Sequence, residues 1–268
     1  MDKKIAVIGT GNMGKAIIQG LVSHSNDSLN SITASTRTDQ EAQNIQEEFG
    51  INVFTNNQLA AKNSDIIILA VKPYLLEEVI TEIIPIISQH TLIISIAAGF
   101  TIGQAEELLG GNQPFIRAMP NLAAQVGESM TGIVENSSCS DTDINDAITI
   151  FNAIGRTEMV TEDLLHAVIG VSGSSPTLVF MLIQAMADSG VANGLTREQS
   201  LKLATQMVKG CATYLEQSDT HPEKLKDNVC TPGGTSIQMV LEAEKQNYRH
   251  TIQSAIQAGI DKSKELSK

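Results

Sequence analysis

The run Ile5-Ala6-Val7-Ile8-Gly9-Thr10-Gly11-Asn12-Met13-Gly14 constrains this chain more than any other stretch. A β-branched apolar segment leads into glycines spaced G-x-G-x-x-G, and a helical pattern follows with Met13, Ala16, Ile17 and Leu21 on one face. A chain built this way places Gly9 in a tight turn, brings the Gly11 backbone close to a pyrophosphate and packs helix on strand at Gly14, with helix N–H groups facing the anion. Gly9, Gly11, Asn12, Met13 and Gly14 are therefore the first candidate residues for a dinucleotide.

Strands and helices keep alternating after this motif. Strands are expected at Ser31–Ser35, Asn52–Phe54, Asp65–Val71, Thr91–Ala97, Phe115–Met119, Met130–Val134 and Thr157–Val160. Helices are expected at Asn12–His24, Asp39–Phe49, Leu75–Ile87, Ile102–Leu109 and Asp143–Ala153. The alternation predicts the α/β class, a doubly wound parallel sheet with its ligand crevice at the carboxyl ends of the strands. Residues 1–160 would form this layer. In residues 161–268 β-type runs give way to helices, with long ones at Arg197–Leu215 and Tyr248–Leu266. Leu178–Ala187 is apolar nearly all round, which predicts a helix buried on most sides, either by a second subunit or at the centre of a monomeric bundle.

Charge narrows the partners. Eighteen Lys and Arg stand against 30 Asp and Glu, a net charge of −12, so the surface field disfavours nucleic acid and anionic membranes and any anionic ligand needs a local positive site. The apolar runs Ile66–Val71 and Leu92–Phe100 are too short to span a bilayer. The amino terminus lacks a signal-peptide pattern, and Cys139, Cys211 and Cys230 lack metal-ligand spacing. A cytoplasmic protein with reduced thiols and no metal is expected.

Beyond the second strand, Ser35-Thr36-Arg37 stands where NAD-binding chains carry a carboxylate for the ribose hydroxyls. Two hydroxyls and a guanidinium suit a phosphate, so NADP is favoured over NAD. In the other reading Arg37 is solvated and Asp39 holds the ribose. Asn57 is placed as the N-cap of the next helix, as a contact on the adenosine side, or both. Ala70-Val71-Lys72-Pro73 and Ala97 end strands at the crevice, with Pro73 setting the chain's exit and Lys72 holding a carbonyl or favouring anions.

Two stretches in the second half interrupt helical patterns, Ser172-Gly173-Ser174-Ser175-Pro176 and Thr231-Pro232-Gly233-Gly234-Thr235-Ser236. After the second, Ile237, Val240, Leu241 and Glu244 restart a helix, so Thr235 or Ser236 is expected as N-cap. Such a helix start binds a carboxylate through its N–H groups; the other reading is an ordinary turn with a capping residue. The histidines lie outside the candidate loops, which leaves alcohol oxidation without its usual base. Hydride delivery to an iminium carbon, already electrophilic, needs mainly positioning.

At these residues the chain resembles the pyrroline-5-carboxylate reductases. The likeness runs through Gly9–Gly14, Ala70–Pro73, Ile96–Gly99, Arg117–Asn121, Val126–Glu128, Ser172–Pro176, His221–Glu223 and Thr231–Ser236. It implies a Rossmann domain followed by an all-α dimerisation domain, NADPH or NADH as cofactor, a homodimer, and often rings of dimers up to a decamer. It also implies reduction of a cyclic imino acid to proline. Met119 and Pro120 would line the nicotinamide pocket, and Asn121, Ser174, Ser175, Pro232, Gly233 and Gly234 would surround the substrate. Thr235 and Ser236 would act at the ring nitrogen.

Three departures stand out. Leu122-Ala123-Ala124 replaces Thr-Pro-Ala, Ser175 replaces a glycine, and Thr231 and Ser236 exchange with the family's Ser and Thr. They leave open a reductase of a related cyclic imine, or an NADP-binding regulatory or interaction protein. The β-hydroxyacid dehydrogenases share the domain arrangement but place a catalytic lysine where this chain has Leu178 and Val179.

Overall fold

The computed structural model describes residues 3–24 and 29–267. Contacts divide it into one unit of residues 1–174 with 259–268 and a second of residues 175–258.

The first unit holds an eight-stranded sheet: β1 (Ile5–Ile8), β2 (Ile32–Ser35), β3 (Asn52–Phe54), β4 (Ile66–Leu69), β5 (Leu92–Ser95), β6 (Phe115–Met119), β7 (Ser129–Glu135) and β8 (Gly155–Met159). Their order is β3-β2-β1-β4-β5-β6-β7-β8, parallel throughout except where β7 pairs antiparallel to β6. Strands β1, β4 and β5 are buried on both faces, as the continuous Ile, Val and Leu runs require. Ile5, Val7, Ile66 and Ile68 point into one core with Ile17 and Leu21 of α1 (Asn12–His24), Ile45 of α2 (Asp39–Phe49) and, from farther along the chain, Ile150 and Phe151. Ala6, Ile8, Ile67 and Leu69 point the other way, into a core with Ala61 of α3 (Asn57–Ala61), Leu76 and Ile80 of α4 (Leu76–Ile83) and Ala105 of α5 (Ile102–Leu109). Ile150 and Phe151 belong to α6 (Asp141–Asn152). Helices thus cover both faces, the doubly wound arrangement, and each fully buried Ile contributes roughly 1.5–3 kcal/mol of transfer free energy.

The expected helix over Leu75–Ile87 is shorter in the structure. Pro85 lacks an N–H and its ring clashes with the preceding turn, so α4 stops at Ile83 and a single 3-10 turn, Ile84–Ile86, follows. The expected strand Ser31–Ser35 loses Ser31 to a 3-10 turn at Leu29–Ser31.

Strands end at Met159, but the first unit continues to Ser174. Leu165, at the start of α7 (Leu165–Val168), is buried with Met119 and Val134. Glu162 pairs with the buried Arg117 at 2.6 Å and also accepts the Ile102 N–H. The Ser172 stretch interrupts the helical pattern as expected, and the helix restarts at Pro176. Ile169–Gly173 is a π-turn closed by Ser174 N–H donating to Ile169 O at 2.8 Å, and Ser175, with φ −65°, leads directly into α8 (Pro176–Ala192).

In the second unit α8 packs on α9 (Arg197–Glu216), where a Cβ at Gly190 would fall 2.5 Å from Ser200 Oγ. A capping box of Thr196 and Gln199 starts α9. Leu178–Ala187 is not the centre of a monomeric bundle, and the chain by itself leaves it open, as a helix expected to pack on a second subunit would be. Only Ala187 of α8 is buried, while Phe180 is 58% and Met181 62% exposed. By length and composition the helical run Glu162–Ala192 is apolar enough to cross a membrane, a stretch hidden in the sequence by the polar Ser172–Ser175 segment. α10 (Pro222–Val229), α11 (Thr235–Lys245) and α12 (Tyr248–Leu266) follow, the end of α12 belonging to the first unit.

Candidate active site

Parallel register brings the carboxyl ends of β1, β2 and β4 level, with Ile8 opposite both Ser35 and Leu69. The loops beyond them enclose a cleft of about 750 Å³. Gly9 adopts φ +98°, and a Cβ there would lie 2.7 Å from Ala70 O; its N–H donates to Ser35 O at 3.0 Å and so ties two of the loops together. Gly14 does not line the cleft. Its missing Cβ would sit 2.1 Å from Gly9 O, so α1 can start directly on the turn only without a side chain there. Gly11 faces open space, with nothing within 4 Å of a would-be Cβ. Bare backbone, a helix start and room beside them fit a pyrophosphate.

Of the predicted cofactor residues, Gly9, Gly11, Asn12, Met13, Ser35, Thr36, Arg37, Asn57, Ala70, Val71, Lys72, Pro73, Ala97 and Pro120 line this cleft. Met119 does not. Its side chain lies 8% exposed in the small core with Val134 and Leu165, because Met119 and Pro120 alternate across the end of β6.

On the far side of the cleft the N-cap of α3 is Asn56, which accepts the Leu59 N–H at 2.9 Å, and not Asn57. Asn57 is thereby free to bridge. Its Oδ1 accepts from the Ser35 hydroxyl at 2.7 Å and its Nδ2 donates to Glu82 Oε2 at 2.8 Å. Ser35 is buried and Arg37 exposed. Asp39 does not line the cleft, but Glu41 does, and its Oε2 accepts from Thr36 Oγ1 at 2.8 Å. That hydrogen bond, together with one from Thr38, the Arg37 N–H and the Arg37 charge, holds the Glu41 carboxyl below its usual range.

Glu41, Glu82 and Gln125 are cleft residues that the sequence reading missed. Glu41 was legible: it stands three residues after the cap Thr38, where a side chain folds back over the helix start. Gln125 had no signal, because it rides on a 3-10 turn, Leu122–Val126, that carries no periodic pattern.

Asn121 does not line the cleft; its side chain is fully engaged elsewhere. Oδ1 caps that 3-10 turn by accepting the Ala123 N–H at 3.0 Å, and Nδ2 donates to Ser172 Oγ at 3.0 Å. Ser172 in turn donates to Met130 O. Asn121 therefore fixes the π-turn before Ser174. Ser175 sits at an ordinary helical φ, so replacing a glycine there introduces no backbone strain.

Within the second unit, Thr231 to Gly234 form a turn closed by the Gly234 N–H donating to Thr231 O at 3.0 Å. Pro232 and Gly233 occupy its centre, and φ +69° at Gly233 gives the type II geometry. The N-cap of α11 is Gly234, without a side-chain cap, and not Thr235 or Ser236 as expected. A Cβ at Gly234 would fall 2.3 Å from Thr231 Oγ1. The first-turn N–H groups thus stay uncapped by side chains, and the Thr235 and Ser236 hydroxyls are not spent on capping. Arg249 braces the flanking helices, donating to Glu223 of α10 at 2.8 Å and to Glu244 of α11 at 2.6 Å. The Arg249 hydrogen bond, seconded by Lys226, pulls the Glu223 carboxyl down to about 2.

The chain is similar to known proteins over its whole length. A family model described as pyrroline-5-carboxylate reductase dimerisation matches residues 162–266, and one described as NADP oxidoreductase coenzyme F420-dependent matches residues 4–99. The pyrroline-5-carboxylate reductase of Escherichia coli is 41% identical over 268 residues, 100% of both chains. The solved pyrroline-5-carboxylate reductase of Coxiella burnetii matches with a TM-score of 0.95 at 31% identity, covering 100% of both chains. The Plasmodium falciparum pyrroline carboxylate reductase, solved with NADP bound, matches with a TM-score of 0.89 at 30% identity, covering 100% of this chain and 99% of that one.

Proposed function

The chain belongs to the pyrroline-5-carboxylate reductase family and reduces 1-pyrroline-5-carboxylate to L-proline, and we propose that it does so with NADPH in preference to NADH. The observation that supports this preference is the cleft wall beyond β2: Arg37 lines it and Asp39, the residue that would favour a free ribose hydroxyl, does not. The first unit is the NADP-binding domain, and bound NADPH supplies the hydride that reduces the imine carbon.

The residues of the chain orient and neutralise. Gly9, Gly11 and the start of α1 hold the pyrophosphate, while Ser35, Thr36, Arg37 and Asn57 hold the adenosine ribose and its phosphate. Ala70 to Pro73, Ala97 and Pro120 shape the cleft toward the nicotinamide. At the start of α11 the uncapped N–H groups after Gly234 receive the imino acid carboxylate, with the Thr231–Gly234 turn shaping that pocket. The Ser236 hydroxyl, assisted by Thr235, hydrogen-bonds the ring nitrogen and holds its proton while the imine carbon takes the hydride. Ser174 and Ser175 border the substrate, and Asn121 positions their segment through Ser172.

The helical domain makes a homodimer, which gives the exposed Phe180 and Met181 face of α8 a partner. Rings of such dimers, a decamer, and a cytoplasmic location are the further reading, supported by the family likeness. The reaction is tested by following NADPH oxidation by the purified protein with 1-pyrroline-5-carboxylate, beside NADP reduction with a 2-hydroxy acid. Turnover of the imino acid is expected; turnover of the hydroxy acid alone overturns the reading.

A further inference from the structure

The cleft wall that faces the adenosine ribose carries an internal anion as well as a cation. Glu41 occupies the third position of α2, counted from the cap Thr38. A carboxylate there ordinarily folds back onto the cap's own N–H. In this chain it reaches further, to the Thr36 hydroxyl at 2.8 Å, beside Arg37 at the strand end where a ribose phosphate is expected. Thr36 is a neutral donor of the Ser35-Thr36-Arg37 segment. Among the described residues, Arg37 and Lys72 alone bring positive charge to the cleft lining, against Glu41, Glu78 and Glu82.

We propose that Glu41 is a specificity-determining residue that narrows the preference for the phosphorylated cofactor, by occupying the Thr36 donor beside Arg37 as an intramolecular stand-in for the ribose phosphate. The inference rests on the reading that Arg37 receives that phosphate. A 2′-phosphate entering the cleft must turn the Glu41 carboxylate away, and the two anions repel. A ribose carrying a free 2′-hydroxyl can instead donate to Glu41 where it stands, as ribose hydroxyls do to carboxylates in NAD-binding chains. The same side chain therefore weakens one dinucleotide and supports the other. Its exposure on the surface of α2 keeps small what its charge contributes to the fold.

Titration calorimetry with 2′,5′-ADP and 5′-AMP, which differ by that phosphate alone, tests the inference on wild type, Glu41→Gln and Arg37→Ala. Glu41→Gln keeps an acceptor for Thr36 and removes the charge. It is expected to tighten 2′,5′-ADP by about three- to tenfold, a tenfold change being ~1.4 kcal/mol, and to leave 5′-AMP unchanged or weaker. No change for 2′,5′-ADP, or equal tightening of both ligands, overturns it. Arg37→Ala keeps the two failures apart. If it weakens 2′,5′-ADP selectively while Glu41→Gln does nothing, only the role of Glu41 falls. If it weakens both ligands equally, the phosphate site falls and the role of Glu41 with it.

Discussion

A Cβ at Gly14 would stand 2.1 Å from the carbonyl oxygen of Gly9. The two glycines are therefore coupled: the turn at Gly9 and the start of α1 touch through backbone alone, and the proposed pyrophosphate site depends on that contact. Gly14→Ala must push α1 off the turn. It is expected to cost about 1–3 kcal/mol of stability, as overpacking does, and to abolish NADPH binding. Gly11→Ala separates fold from function, because its Cβ would meet only open space, where the proposed pyrophosphate would lie. It should leave Tm within about 2 °C of wild type, a loss of well under 1 kcal/mol, and still weaken NADPH severely in calorimetry. Equal loss of stability in both variants would refute this assignment.

The bridge from Ser35 through Asn57 to Glu82 makes a second prediction. Ser35 is buried, and its hydroxyl donates to Asn57. Asn57→Ala strands that hydroxyl, a desolvation penalty of about 1–3 kcal/mol, and lets the ends of β2 and α4 move independently. The Michaelis constants for NADPH and NADH should both rise if the bridge underlies the proposed ribose site and does not read the phosphate. A selective effect on NADPH would instead make Asn57 a phosphate contact.

Ser236 can be separated from its neighbours by stability. Because Gly234, not Ser236, is the cap of α11, Ser236→Ala should not show the ~0.5–2 kcal/mol loss that deleting a capping side chain brings. Turnover is expected to fall at least tenfold, with NADPH affinity unchanged in calorimetry. A loss of stability with full turnover would return Ser236 to a structural role.

The fold was legible where local pattern and buried chemistry coincide. The runs Ile5–Ile8, Ile66–Leu69 and Leu92–Ser95 are apolar because helices cover both faces, and that shows in sequence. The glycine loop was legible because Gly9 and Gly14 answer to backbone constraints. What escaped depends on side-chain direction or on neighbours far along the chain. Met119 turns into the core of Leu165, 46 positions later, and no local signal distinguishes it from Pro120. The cap of α11 fell on Gly234 and not on a hydroxyl because the type II turn already supplies its geometry. Apolarity around Leu178–Ala187 predicts cover by a second subunit or by a monomeric bundle, and only the structure, which leaves the face open in the chain by itself, decides against the bundle.

The last prediction concerns pH. Glu223 titrates at about 2 in the folded chain because Arg249, and then Lys226, donate to it. Unfolded, it returns to about 4.3. A carboxyl whose folded value is depressed contributes stability above its unfolded value and loses that contribution as pH falls toward the folded one. Arg249→Met keeps the aliphatic stem and removes the donor. The stability difference between wild type and variant should be constant from pH 5.5 to 8, shrink below about pH 4.3 and be nearly gone at pH 2. The groups are exposed, so molar salt should also reduce it. Urea unfolding at one protomer concentration measures this, since dimer stability depends on concentration. The brace ties α10 to α11 on either side of Thr231–Ser236, so the variant's Michaelis constant for the imino acid should rise at neutral pH while that for NADPH holds. A difference in stability that ignores pH would show that Arg249 does not act through Glu223.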